Sequence, residues 1–301
     1  MQRIIQSIHQ GAKAGVDACR LCHGRGHGLP GLEFVSVDWF SPVLLISLYK
    51  QPAAEWLEQL RSEIGVFNKQ PNIKNIILQH RYLSGAPSEN LKGDIQGDYY
   101  AEEKGLKFHL NFKANQNIGF FLDMANCRQV LREHVEGKSV LNLFAYTCAF
   151  SVVATEAGAT KVVNVDMAKG ALNTGRRNHQ LNNIDTRPVS FLGHDIFKSW
   201  GKIRKYGPYD RVIIDPPSFQ AGSFNARKDY QKIVRKLPGL LSARAQVIAC
   251  LNSPDLDFAF LRALFSEAGG FVEKQVISTP PSFPEADADK GLKTLIFEAS
   301  R

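Results

Sequence analysis

With 301 residues, 44% of them hydrophobic, the chain is long enough for one large or two modest domains and a sizeable core. No run approaches the roughly 18 apolar residues of a membrane span, residues 1–10 hold no apolar signal segment, and the five cysteines, an odd number, read as reduced thiols; a membrane protein and a disulfide-built secreted protein are argued against, and a cytoplasmic location is expected. The net charge of +8 is uneven: residues 1–125 carry 13 Lys/Arg against 12 Asp/Glu and residues 126–301 carry 24 against 17, so a basic face able to attract polyanions belongs to the C-terminal half.

Residues 1–29 begin with a helical pattern and become irregular. Within them Cys19-Arg20-Leu21-Cys22-His23, with His27 nearby, has the spacing of a c-type haem attachment site. Haem attachment needs an exported chain, and these residues are crowded for a zinc finger. A glycine-rich surface turn holding neither metal nor haem is expected. Residues 32–38 and 43–49 predict a hairpin around Trp39-Phe40-Ser41-Pro42. Residues 52–64 predict a helix with Pro52 near its first turn and Trp56, Leu57, Leu60 and Ile64 on one face. Residues 73–79 predict a strand, and the polar, glycine-rich residues 81–97 a loop or linker. Together these make a small α+β domain over residues 1–97. Residues 106–112 predict a strand, 115–121 a loop with a Gly-Phe-Phe turn, and 123–136 a helix with Asp123 as N-cap.

From residue 138 to 219 short apolar runs alternate with helical segments, the pattern of βαβ units and a parallel sheet. Three acids fall at successive strand ends: Asp166, Asp195 and Asp215. Ligands of open α/β sheets bind beyond those ends. A carboxylate after the second strand suits a ribose diol, which fits NAD, FAD or S-adenosylmethionine. The first turn, residues 142–150, has no glycine, whereas the Gly-x-Gly-x-x-Gly fingerprint lets backbone approach a pyrophosphate; this counts against NAD and FAD. Asp215-Pro216-Pro217-Ser218-Phe219 makes a rigid, non-helical loop, because two prolines fix φ and remove two amide donors. Such a loop suits a flat base presented to a methyl donor. Taken singly, Asp195 reads better as a helix N-cap and Asp166 as the start of the following helix; at two successive strand ends ahead of Asp-Pro-Pro, cofactor roles are favoured.

The motifs Asn117-Ile118-Gly119-Phe120-Phe121-Leu122-Asp123, Val140-Leu141-Asn142-Leu143-Phe144-Ala145-Tyr146-Thr147, Val165-Asp166-Met167 and Asp215-Pro216-Pro217-Ser218-Phe219 together resemble the class I S-adenosylmethionine-dependent methyltransferases. More closely, the chain is similar to the branch that methylates bases of large-subunit ribosomal RNA. The likeness covers about residues 98–301, the expected catalytic domain. It implies a Rossmann-like, seven-stranded α/β sheet whose last strand is antiparallel, behind the small α+β domain. It implies S-adenosylmethionine as cofactor, with Asn142 and the backbone of Phe144, Ala145 and Thr147 along the methionine part. Asp166 would take the ribose hydroxyls, Met167 the adenine face, and Asp195 with Ile196 the adenine amino edge. Phe120 and Arg128 lie in a segment that folds over the cofactor in the relatives, where Arg128 would hold its carboxylate; an exposed helix face is the alternative for Arg128. Cys148 stands where relatives often have glycine. Relatives often carry an extra RNA-binding domain at the N-terminus, for which residues 1–29 are too short.

Asp215 is the expected catalytic residue, with Pro216, Pro217 and Phe219 cradling a small flipped-out base. Residues 226–242 predict a helix interrupted at Pro238-Gly239, 245–251 the fifth strand, 255–268 a helix, 271–277 the sixth strand and 294–299 the seventh. The connector 278–293 contains no helix, so the last two strands must run antiparallel. Cys250 would be the nucleophile of a carbon methylation, but its apolar run favours a buried structural thiol; Asn252 is a candidate to face the base, since an amide pairs with a base edge. Two basic clusters, Arg227, Lys228, Lys232, Arg235 and Lys236, and Lys198, Lys202, Arg204 and Lys205, suit nucleic acid or an ordinary solvated face. The expected function is methylation of a base in ribosomal or other structured RNA, with no metal, RNA as partner and a homodimer allowed for. Open alternatives are a methyltransferase for a small molecule or protein, and an inactive RNA-binding module.

Overall fold

The computed structural model describes residues 1–13, 15–113, 116–220 and 224–300; Asn115 and the side chain of Phe219 lie outside the described part. Helix α1 (Gln2–Gly11) is followed by β1 (Cys19–His23), β2 (Val35–Phe40), β3 (Val43–Leu48), α2 (Ala54–Ile64), β4 (Asn75–His80) and β5 (Ser88–Lys92). These strands form one sheet in sequence order. The β2–β3 hairpin forms with a tighter turn than expected, since Trp39 and Phe40 end β2 paired with Leu44 and Val43 and leave Ser41-Pro42 to turn; α2 carries the chain across to β4, which runs parallel to β3. Trp39, Leu44, Ile46, Ile76 and Leu78 bury one face against Ile4, Ile8, Leu60 and Ile64 of the helices. A second hairpin, β6 (Tyr99–Glu103) and β7 (Leu106–Leu110), follows.

The two edge strands differ from expectation. Residues 81–97 are not all loop: β5 lies there, pairing with β4. The irregular stretch after α1 likewise supplies β1. Cys22 is buried in β1, and both nitrogens of His23 are engaged, Nδ1 with Arg20 at 2.8 Å and Nε2 with Glu285 at 3.0 Å. Glu285 belongs to Pro280–Ala286, which joins Met1–Leu122 as one compact unit; contacts divide the chain after Leu122, later than the boundary expected at residue 97. In that returning segment Phe283 lies 4.4 Å beneath the Arg20 guanidinium and 5.0 Å from the His23 ring, and Ala286 donates its N–H to Gly26.

The second unit holds Asp123–Thr279 and Asp287–Arg301. Its elements are α3 (Ala125–Glu133), β8 (Ser139–Leu143), α4 (Ala149–Glu156), β9 (Lys161–Val165), α5 (Lys169–Leu181), β10 (Val189–Leu192), α6 (Trp200–Tyr206) and β11 (Tyr209–Ile214). A short hairpin, β12 (Phe219–Gln220) and β13 (Phe224–Asn225), leads to α7 (Ala226–Val234), β14 (Leu241–Leu251), α8 (Phe258–Ala268), β15 (Phe271–Val276) and β16 (Lys293–Ala299). Seven strands make a mixed sheet of order β10-β9-β8-β11-β14-β16-β15, with β16 antiparallel to both neighbours. Alternate residues feed two cores: Leu141, Val163, Val212 and Val247 face α6, α7 and α8, while Val140, Val162, Ile213 and Ile248 face α3 and α4.

Two helices are shorter than expected. Asp123 sits in a 3-10 turn and Met124 is the N-cap of α3, so Asp123 does not cap it. Helix α7 ends at Val234, and Pro238 opens no further α-turn but a 3-10 turn over Leu237–Gly239. The chain is then free to start β14 four residues before the expected position. No described helix is long and apolar enough to cross a membrane.

Candidate active site

Register brings the strand ends together. Leu143, last in β8, lies between Val165 of β9 and Ile214 of β11, and Val165 lies beside Leu192 of β10. The first residues beyond the sheet on four adjacent strands are therefore Phe144, Asp166, Gly193 and Asp215. Chain order reverses at β8, with β9 and β10 on one side and β11 and β14 on the other. A crevice opens at such a switch point.

The glycine-free first turn is bent all the same. Phe144, Tyr146 and Cys148 take φ of 59°, 47° and 62°, the left-handed region. Each such residue costs about 1–3 kcal/mol, so the surroundings must hold the turn. Asp166 does so with Oδ2, which accepts the Tyr146 N–H at 2.8 Å. Ala145 donates to the Val165 carbonyl at 3.1 Å, and the Asn178 amide on α5 donates to the Thr147 carbonyl at 2.9 Å. Gly175 of α5 leaves room for Cys148: a Cβ there would stand 2.4 Å from its Sγ. Cys148 thus adopts the backbone conformation that glycine would adopt freely. Burial, with Asp166 nearby, pushes its thiol well up, which makes it inert packing.

Asp166 Oδ1 also accepts the Ala168 N–H at 2.8 Å, opening α5. Each oxygen keeps a lone pair for a diol. Met167 beside it is 49% exposed, a free apolar platform. Asp195 realises its capping alternative, with Oδ1 accepting the Phe197 N–H at 2.9 Å and Oδ2 3.7 Å from Lys198 Nζ. Ile196 is buried in the core under that turn.

Asn142 is placed differently from the rest. It is 1% exposed, and its amide donates to Asn164 Oδ1 at 2.9 Å. Asn164 donates to Ser151 Oγ at 2.9 Å, and Ser151 lies 3.0 Å from His179 Nε2. His179 Nδ1 lies 2.7 Å from the Gly175 carbonyl, which can only accept, so Nδ1 carries the proton and Nε2 accepts from Ser151. Burial pushes the His179 pKa down and keeps the ring neutral. This satisfied chain ties β8 and β9 to α4 and α5, and the Asn142 side chain is spent within it.

Asp215 is half-buried at the head of its loop. Burial pushes its pKa up to about 7, with Asp123 adding to the rise and Arg128 opposing it. Arg128, on α3, is only 2% exposed, so an exposed helix face is ruled out for it. The loop is pinned at both levels. Ser218 Oγ donates to the Asn252 carbonyl, joining the loops after β11 and β14. Below it the Tyr230 hydroxyl lies 3.4 Å from the Ile214 carbonyl and 3.1 Å from that of Cys250, sharing one proton between the two strand ends. Buried Lys293 donates to the carbonyls of Ser253, Asp289 and Gly291 at 2.7–2.8 Å, fixing the loop after Asn252. Phe224 packs edge-on against Phe144 at 5.1 Å and stacks with Phe197 at 6.3 Å.

Tyr230, Lys293 and Phe224 escaped the sequence reading. The spacing of Ala226, Tyr230, Ile233 and Val234 on one face of α7 marks Tyr230 as buried, and a buried tyrosine needs a partner. Lys293 gives no such signal in a polar connector. Cys250 is fully buried with its Sγ 3.9 Å from Thr294 Oγ1. A hydrogen bond with Cys127, then burial and the Asp215 charge, push its thiol far up. Phe120 belongs to the first unit, where it stacks on Phe108 at 4.6 Å. Gly119 before it takes φ 118°, and a Cβ there would meet the His109 carbonyl at 2.6 Å.

A doubly wound sheet with a carboxylate after its second strand, and no glycine cradle for phosphate, defines an α/β site for a ribose-bearing, phosphate-free cofactor. The profile of the S-adenosylmethionine-dependent methyltransferases matches residues 19–298, and the chain belongs to that family. Over 216 residues it is 32% identical to the ribosomal RNA large subunit methyltransferase I of Cronobacter sakazakii, a match covering 69% of this chain and 53% of that protein. The chain thus spans about half the length of the curated relatives it matches. Among solved structures, an S-adenosylmethionine-dependent methyltransferase from Streptococcus mutans has a TM-score of 0.85 at 26% identity, covering 99% of this chain and 80% of that one. A methyltransferase solved with S-adenosylhomocysteine has a TM-score of 0.85 at 25% identity, covering 99% and 79%. The cofactor is S-adenosylmethionine. The residues present fit it: Asp166 offers lone pairs to a diol, Met167 an open apolar face, and the first turn no phosphate site.

Proposed function

We propose that this chain methylates a base of ribosomal RNA at a nitrogen, in the cytoplasm, with Asp215 as proton acceptor. The observation that carries this is Asp215 itself: an acid whose pKa burial pushes up to about 7, first beyond the sheet at the switch point, on a proline-stiffened loop. The name of the relatives at about 30% identity supports RNA as the substrate. Bound S-adenosylmethionine supplies the electrophilic methyl group. Asp166 holds the ribose, Met167 lies against the adenine, and Asp195, with Ile196 beside it, takes its amino edge. Phe144, Ala145 and Thr147 line the methionine part through their backbone, and Arg128 serves its carboxylate end. Asp215 fixes the base by accepting its N–H and removes that proton as the nitrogen gains the methyl group. Pro216, Pro217 and Phe219 bound the base, and residues 1–97 help to position the RNA.

Nitrogen is favoured over carbon because a carbon route needs a thiolate, and the Cys250 thiol is buried against Cys127 and Thr294. Transfer of labelled methyl groups to RNA from cells lacking the protein is the test. Asp215→Ala is expected to lose transfer while binding S-adenosylhomocysteine within threefold of wild type, and Cys250→Ser to keep most activity. A dead Cys250→Ser with a covalent adduct on 5-fluoropyrimidine RNA would reverse the assignment.

A further inference from the structure

The two basic clusters of the C-terminal half are separate in sequence but side by side in the fold. At one end Lys232 of α7 sits 5.9 Å over the ring of Phe197, which opens into α6. At the other, the Arg204 guanidinium of α6 reaches to within 3.7 Å of where a Cβ on Gly239 would stand, in the 3-10 turn that follows α7. Between these contacts Ile203, Ile233 and Leu237 share one core, so the two helices turn their apolar sides inward together. Lys198, Lys202, Arg204, Lys205, Arg227, Lys228, Lys232, Arg235 and Lys236 are all exposed.

The charge is concentrated there. Residues 195–206 and 226–239 hold nine Lys/Arg against Asp195 and Asp229, a net +7. That equals the net charge of the whole of residues 126–301, so the remainder of this half is balanced. Four of the nine have a polar neighbour: Lys198 with Asp195, Lys202 with His194, Arg227 with the Asp255 carbonyl and Lys232 with Asp229. Arg204, Lys205, Lys228, Arg235 and Lys236 make no ion pair among the described residues. A merely solvated face would intersperse acids, as the rest of the unit does. The strip also leads to the site, since Phe197 stacks with Phe224 and Phe224 packs on Phe144 of the first turn.

We infer that the joined outer faces of α6 and α7, with the turn before α6 and the residues that follow α7, are one track for the sugar-phosphate backbone of the substrate RNA, delivering it to the Asp215 loop; this rests on the RNA reading above. Phosphate contacts position a nucleic acid without reading its sequence, and each releases counterions on binding. The probe is large-subunit ribosomal RNA from cells lacking the protein. Its binding and methylation are measured across 50–300 mM salt, conditions set by the experimenter, on the order of the range where counterion release is read. The variant is Lys205→Gln/Arg235→Gln/Lys236→Gln. The control, Arg177→Gln/Arg187→Gln/Lys274→Gln, removes equal charge from exposed residues elsewhere in the same unit.

The track variant is expected to make the negative slope of log affinity against log salt shallower by about two to three, at roughly 0.7–0.9 for each of three lost phosphate contacts. Its KM for RNA should rise about tenfold, with kcat and S-adenosylhomocysteine affinity within twofold and the control near wild type. Equal losses in both triples would reduce the effect to net charge and overturn the track. A wild type that methylates this RNA, with a slope the track variant leaves unmoved, would overturn the track and leave the RNA reading standing. A wild type that neither binds nor methylates RNA would overturn the RNA reading, and the track with it.

Discussion

Asp215 has an ordinary carboxyl value of 3.8 that the fold raises to about 7, burial first, then the neighbouring Asp123. A proton acceptor must be ionised, so methyl transfer should climb as pH rises through about 7 and level off above it. The same shift acts on stability with the opposite preference. Between 3.8 and about 7 the folded chain keeps a proton that the unfolded chain has released. The contribution is thus fully present below 3.8 and lost as pH rises through about 7. Asp215→Asn, which mimics the protonated form, should be inactive at every pH yet melt higher than wild type at pH 8, by a margin that vanishes near pH 3.5, in thermal scans of the two proteins side by side. A constant margin across that range would show that Asp215 does not carry the shift. The sequence offered the position of this acid, at a strand end before two prolines. It could not offer the pKa, which depends on burial and then on Asp123, in the 3-10 turn before α3, with Arg128 of α3 opposing the rise.

At the level of elements, the first turn and α5 are fitted to each other. Gly175 has no Cβ because Cys148 Sγ occupies its place, and Cys148 is held with φ 62°. Gly175→Ala should push the turn out of shape and cost about 1–3 kcal/mol, the usual range for overpacking a core. It should also weaken S-adenosylhomocysteine binding in calorimetry, because the turn lines that site. Adding Cys148→Gly should restore most of both losses, a coupling that independent sites would not show. A sequence shows that a turn lacks glycine, but not that three of its residues are nevertheless left-handed, since φ is imposed by Asp166 and Asn178 from other elements. Edge strands were hidden for a different reason. Ser88–Lys92 is polar and half-exposed, without the apolar run that marked β2, β3 and β8. Polar edges resist pairing with other chains, and this conceals them from a reading based on hydrophobic pattern.

At the scale of the whole molecule, the parallel core and its antiparallel last strand were legible because buried strands are continuous apolar runs and the connector 278–293 has no helix. The return of Pro280–Ala286 to the first unit was not, since no local pattern announces a long-range partner. Phe283 is 6% exposed against Arg20 and His23, so Phe283→Ala should cost the first unit about 3 kcal/mol. Amide hydrogen exchange in Cys19–His23 should quicken, while β8 and β11 in the second unit keep their protection; unchanged exchange in β1 would refute the role given to Phe283. The returning segment also sets an order of events. A ribosome completes residue 122 long before residue 286, at about 5–20 residues per second a wait of roughly ten to thirty seconds. Throughout that interval Arg20 and His23 lack Phe283 and Glu285, so the part of the chain made first is among the last to be finished.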